Sequence, residues 1–124
     1  MTQLSLLDAL RNPPIIKPIM PHGDVIHGQV DDSFVLPHPR LAWPVAQIDL
    51  HRHNDGMWMW GLNFAAGSHG GGYRVGPKWG MFASSRDDAL YYAAREMLSK
   101  LDQDRSSSAV KIRAWLGSLV PEAI

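Results

Sequence analysis

From Ala46 to His51 polar and apolar residues alternate, with Ile48 and Leu50 on one side and Gln47, Asp49 and His51 on the other, the pattern of a strand buried on one face. Asn54-Asp55-Gly56 is a turn signal, and after it Trp58, Trp60, Leu62 and Phe64 alternate with Met57, Met59, Gly61 and Asn63. An antiparallel partner strand is predicted there. A glycine-rich connection from Ala65 to Gly72 then leads to a strand-like Tyr73-Arg74-Val75, and glycine's backbone entropy predicts a mobile loop. The period changes after Ser84 and Ser85, which stand three residues before Asp87 and Asp88 and approximate a capping box. Ala89, Leu90, Ala93, Ala94, Met97, Leu98 and Leu101 follow at helical spacing, with Phe82 positioned to staple the entry and Glu96 to Lys100 forming an i,i+4 pair. A shorter helix from about Ser108 to Leu119 carries Ile112, Trp115, Leu116 and Leu119 on one face.

The segment before Val45 reads differently. Thr2 to Arg11 suits a short helix with Leu6, Leu7 and Leu10 on one face, but from Pro13 to Pro44 closely spaced prolines exclude a long helix and favour extended or edge segments. Within it Asp24 to His27 and Ser33 to Leu36 predict a small irregular hairpin. The expected fold is therefore α+β: a three- to four-stranded antiparallel sheet packed on one helix, with a Pro-rich N-terminal extension over residues 1–44 and a short C-terminal helix. Residues 45–124 form the compact part of one domain.

Composition sharpens this picture only in places. A chain of 124 residues suits one domain with a real core. Its 12 basic and 12 acidic side chains cancel, so no global field favours nucleic acid or membrane, although a local basic patch remains open. The absence of cysteine removes disulfides and thiolate sites and fits a reducing cytoplasm. Neither a basic leader nor a long apolar run is visible, so cytoplasmic localisation and no membrane contact are expected.

Candidate chemistry centres on Asp49-Leu50-His51-Arg52-His53. His51 and His53 share one strand face with Asp49, a recurrent metal-ligand spacing, and suggest a small metal-dependent hydrolase as one alternative. The remaining histidines are scattered and no acid and base pair can be assigned across a substrate, so the leading expectation is no catalytic residue, no metal and no cofactor. The Ser106 to Ser108 run reads as a linker. A second alternative, a nucleic-acid-binding regulator, would use Arg52, Arg74, Lys78 and Arg86.

Two resemblances add expectations. The stretch from Ala83 to Leu98, with its alanine spacing and the strands before it, resembles the last helix of double-stranded RNA-binding domains, and the same layout is similar to plant Apetala-type and phage-integrase arm-binding domains. These imply nucleic-acid contact, from which the chain departs by having Asp87 and Asp88 where the RNA-binding family has a lysine cluster. Gln3-Leu4-Ser5-Leu6-Leu7 resembles the bacterial sliding-clamp-binding peptide, which implies that Gln3 hydrogen-bonds in the clamp while Leu4, Leu6 and Leu7 fill its apolar groove; docking of the same leucines on their own domain is the other reading.

In size and organisation the chain resembles small proteins of phages and other mobile elements. The leading functional expectation is a non-enzymatic protein that binds a host DNA-transaction or defence complex, as an anti-CRISPR or anti-restriction inhibitor or a replication adaptor. The expected partner face holds Gln47, Asp49, His51, Arg52, His53, Met59, His69, Arg74 and Lys78, with the Trp58 and Trp60 strand joining it if uncovered. A protein partner is expected first, nucleic acid second, and an unguarded sheet edge leaves a homodimer open.

Overall fold

The alternation is realised in a computed structural model that describes residues 11–67 and 69–124. Strands β2 (Asp32–Leu36), β3 (Ala46–Arg52), β4 (Trp58–Ala66) and β5 (His69–Tyr73) form one antiparallel sheet in the order β2-β3-β4-β5. A second, two-stranded sheet pairs β1 (Ile15–Ile16) with β6 (Met81–Phe82). Helices α1 (Arg86–Lys100) and α2 (Ser107–Leu119) follow. The predicted α+β class stands, and the sheet has four strands.

Register explains which side is buried. Ile48 pairs with Phe34 and Leu62, and Leu50 with Trp60, so the apolar parity of β2, β3 and β4 falls on one face. Both helices cover that face. Ala89, Ala93 and Ala94 are fully buried and bring α1 close, while Met97, Ile112 and Leu116 interlock with Ile48, Leu50 and Leu62. Each large side chain in this layer contributes ~1.5–3 kcal/mol by leaving water. Trp60 is therefore covered by core rather than available to a partner, whereas Trp58 packs against the core and stays partly exposed.

The helix ends follow the sequence signals. Ser85 is the N-cap of α1, its hydroxyl accepting from the Asp88 N–H at 3.1 Å. Ser106 caps α2 by accepting from Ala109 N–H at 3.2 Å, so the serine run read as a linker is a helix start. Phe82 does not staple α1. It packs with Met59 and Val75 on the sheet side away from the helices. Nor does Glu96 pair with Lys100: its carboxylate turns to the sheet and accepts from Tyr73 OH at 2.9 and 2.7 Å and from Trp60 Nε1 at 3.3 Å. A sheet hydroxyl and an indole offered closer, less solvated partners than an exposed lysine.

The proline-rich segment contributes structure to the sheet, not a hairpin of its own. β2 pairs with β3, whereas Ile26 donates its N–H to Val75 O at 2.8 Å. The chain from β1 onward runs beside residues 75–82, joined by Lys17 N–H to Gly80 O and Met20 N–H to Lys78 O. Arg11 anchors its beginning, bonded to Asp88 at 2.8 Å and lying 3.8 Å from the Tyr91 ring centroid. The predicted Thr2 to Arg11 helix and the clamp-like Gln3, Leu4, Leu6 and Leu7 lie outside the described residues.

The glycine-rich stretch is also different from its expectation. Residues 65–66 complete β4 and residues 69–72 are the first four of β5, with Ala66 paired to His69. Pairing to β4 compensates the glycines' lost backbone entropy, and Gly67 supplies the positive φ of 52° that the reversal requires. After Tyr73 the strand stops, because the chain crosses the sheet: a Cβ at Gly61 would lie 2.5 Å from Val75 N. Glycine in mid-strand is thus explained by a close backbone crossing.

Candidate functional site

The face away from the helices is divided. One half is closed by the crossing segment, where Met59, Val75 and Phe82 are buried and Ile26, Val30 and Met57 pack around them. Met59, expected on the partner face, is 1% exposed and is part of this small core. Met59 does lie on the side of the sheet away from the helices, but Val75 and Phe82 from a distant segment cover it.

The other half is open and polar. Register sets Ser33 opposite Asp49 and Asn63 opposite Gln47. Ser33 Oγ donates to Asp49 Oδ1 at 2.7 Å, while Gln47 Nε2 donates to Ser33 Oγ at 3.1 Å and to Asp49 Oδ1 at 2.9 Å. Such mutual bonds hold three side chains in one arrangement before any partner arrives. Beside them Gln47, Asp49, Leu62, Asn63, Gly72, Tyr73 and Arg74 line a shallow groove of about 370 Å³. Arg74 has no ion pair among the described residues.

His51, Arg52 and His53 come together elsewhere, at the end of β3, in an open depression of about 790 Å³ shared with Asp31, Asp32, Asn54, Gly56 and Trp58. His51 Nδ1 lies 3.4 Å from Asp31 Oδ2, an oxygen that also accepts from Arg52 N–H at 2.8 Å. His53 stacks against Phe82 with centroids 5.5 Å apart. The two imidazoles thus share a face but face different neighbours, and among the described residues no three His, Asp or Glu side chains are grouped to hold a metal ion.

His69 belongs to neither depression. It opens β5 instead of riding a loop, with Nδ1 3.3 Å from Asp104 Oδ2 and Nε2 3.2 Å from Lys100 O, tying the hairpin to the end of α1. Asp104 also accepts from Ser106 N–H at 2.9 Å, and these bonds to Ser106, with His69 and Arg113 nearby, hold its carboxyl below the usual range. The four cations of the nucleic-acid reading split into two groups. Arg86 is bonded to Asp32, which raises its pKa further, and Arg52 sits with Asp31 and Asp32. Lys78 lies over the Trp79 ring at 5.1 Å, and Trp79 donates to Arg74 O.

Comparison with protein-family models, curated proteins and solved structures finds no match for this chain. Its geometry therefore carries the functional reading. Among the described residues no helix is long and apolar enough to cross a membrane. Ser33, Asn63 and Asp31 were absent from the sequence-based candidates. Asn63 was legible from the alternation along β4, whereas Ser33 and Asp31 required the β2–β3 register, which no local pattern supplies.

Proposed function

We propose that the protein is a non-enzymatic binding protein that docks on a protein partner through the open polar half of its sheet. The ordered Ser33–Gln47–Asp49 network beside the Asn63 and Arg74 groove carries this reading. A contact surface benefits from polar groups fixed before association, since less side-chain entropy is lost on binding. The partner belongs to a host complex that processes nucleic acid or defends against mobile elements, a class that follows from the chain's likeness in size and organisation to phage and plasmid proteins.

A photo-crosslinking amino acid at Asn63, on the open half, and at Val110, exposed on α2, tests the reading in extract of the source organism. Discrete protein adducts are expected from position 63 and none from position 110. Adducts from 110 alone would move the site to the helices. Binding of duplex DNA or RNA at low salt, lost when Arg74 and Lys78 become alanine, would replace the protein partner with nucleic acid.

A further inference from the structure

The sheet has two edges, and only one is guarded. β2 runs from Asp32 to Leu36, flanked by Asp31 and Pro37, with Arg86 bonded across to Asp32 and lying 5.5 Å from the Phe34 ring. Charge and proline of this kind block addition of another strand. β5 is His69-Gly70-Gly71-Gly72-Tyr73, with its first four residues exposed and no Lys, Arg, Asp, Glu or Pro among the five. Its backbone makes no backbone hydrogen bond beyond β4 among the described residues.

The direction of its free groups can be derived. Reversal between Ala66 and His69 makes these two the closing pair of the hairpin, whose N–H and C=O groups face each other. Alternation then turns Gly71 and Tyr73 toward β4 and Gly70 and Gly72 outward. Glycine spacing agrees: a Cβ on Gly72 would lie 2.7 Å from Asn63 Cα and one on Gly70 3.2 Å from Ala65 Cα, the close approach of pairs without mutual hydrogen bonds.

We infer that β5 is a self-association edge, on which a second copy of this chain pairs antiparallel about a two-fold axis at Gly71. Gly70 of each copy then meets Gly72 of the other with both outward N–H and C=O groups satisfied, and the two four-stranded sheets become continuous. The register is self-complementary because Gly70 and Gly72 are equidistant from Gly71. No side chain stands at these positions to clash with a twin or to select a foreign peptide. The flanks supply the specificity instead: His69 of one copy lies opposite Tyr73 of the other, on the helix side. A formal net charge of zero leaves no long-range repulsion between copies. So short an edge buries less than the ~1,200 Å² of a standard interface, so the dimer is weak and forms with concentration.

The chain has no cysteine, which makes a single introduced thiol a clean reporter. Gly71→Cys is tolerated by space, since its Cβ meets only Phe64 Cε1, at 3.9 Å. Opposed residues without mutual hydrogen bonds lie ~4.5 Å apart at Cα, within disulfide reach. Val35→Cys, exposed on the guarded edge, is the control. Under mild oxidation G71C is expected to become predominantly a disulfide dimer while V35C remains monomeric. Folded G71C that stays monomeric, or crosslinking of V35C instead, would overturn the inference. Should G71C fail to fold, the wild-type chain supplies a second reading: its sedimentation mass should rise with concentration, and Gly70 and Gly72 amide exchange should slow in parallel. An unchanged mass with unchanged exchange up to millimolar protein would equally reject the pairing.

Discussion

The two faces of the sheet obey the same alternation and reach different ends. On the helix side Ile48, Leu50, Trp60, Leu62 and Phe64 meet two amphipathic helices and form one continuous buried layer. On the other side a backbone crossing covers Met59 alone among the strand's large side chains, and Gln47, Asp49 and Asn63 remain at the surface. The first face accounts for stability. The second retains groups whose removal costs the fold little, which is the condition for a surface to serve recognition.

Substitutions should separate the faces by size of effect. Leu50→Ala, fully buried under α1, is expected to lose ~2–5 kcal/mol in denaturant titration. Tyr73→Phe should cost ~1.5–3 kcal/mol, since it leaves the Glu96 carboxylate with only Trp60 as a bonded donor. The same tyrosine gives a pH signature. Burial, then the charge and hydrogen bond of Glu96, push its hydroxyl well above its ordinary value. Its contribution is complete below the unfolded pKa of about 10 and fades as pH rises beyond it, because the unfolded chain then loses a proton that the folded chain keeps. Alkaline denaturation should therefore be steeper in the wild type than in Y73F.

On the divided face, Gly61→Ala should cost ~1–3 kcal/mol by pushing Val75 off the strand, with faster amide exchange at residues 74–76. A smaller acid effect belongs to Asp104. Its depressed pKa stabilises the fold above the ordinary carboxylate value of about 4, and this is lost as pH falls through the folded value. Asp104→Asn should flatten that part of the acid limb, read by fluorescence of the tryptophans.

Much of the fold was legible because its signals are local. Alternation fixed the parity of β3 and β4, and the cap serines and alanine spacing fixed α1 within two residues. Interactions between distant segments were not. Nothing near Asp31 announces that it meets His51 and Arg52, and nothing near Met59 announces that Val75 crosses over it. Glu96 illustrates the same limit: its local partner Lys100 is four residues away, whereas the tyrosine it binds is twenty-three residues earlier. Of the contact candidates, Gln47, Asp49 and Arg74 do share one groove, His51, Arg52 and His53 share another, and Met59 is in neither.

The division of labour between the faces is tested most directly by Asn63→Arg, measured in one preparation for both denaturation midpoint and partner capture. Asn63 is exposed and lines the groove. The expected result is a stability change within ~0.5 kcal/mol, as for a surface substitution, together with loss of the partner. Capture at the wild-type level by a fully folded N63R protein would contradict the assignment of the polar half-face as the contact surface.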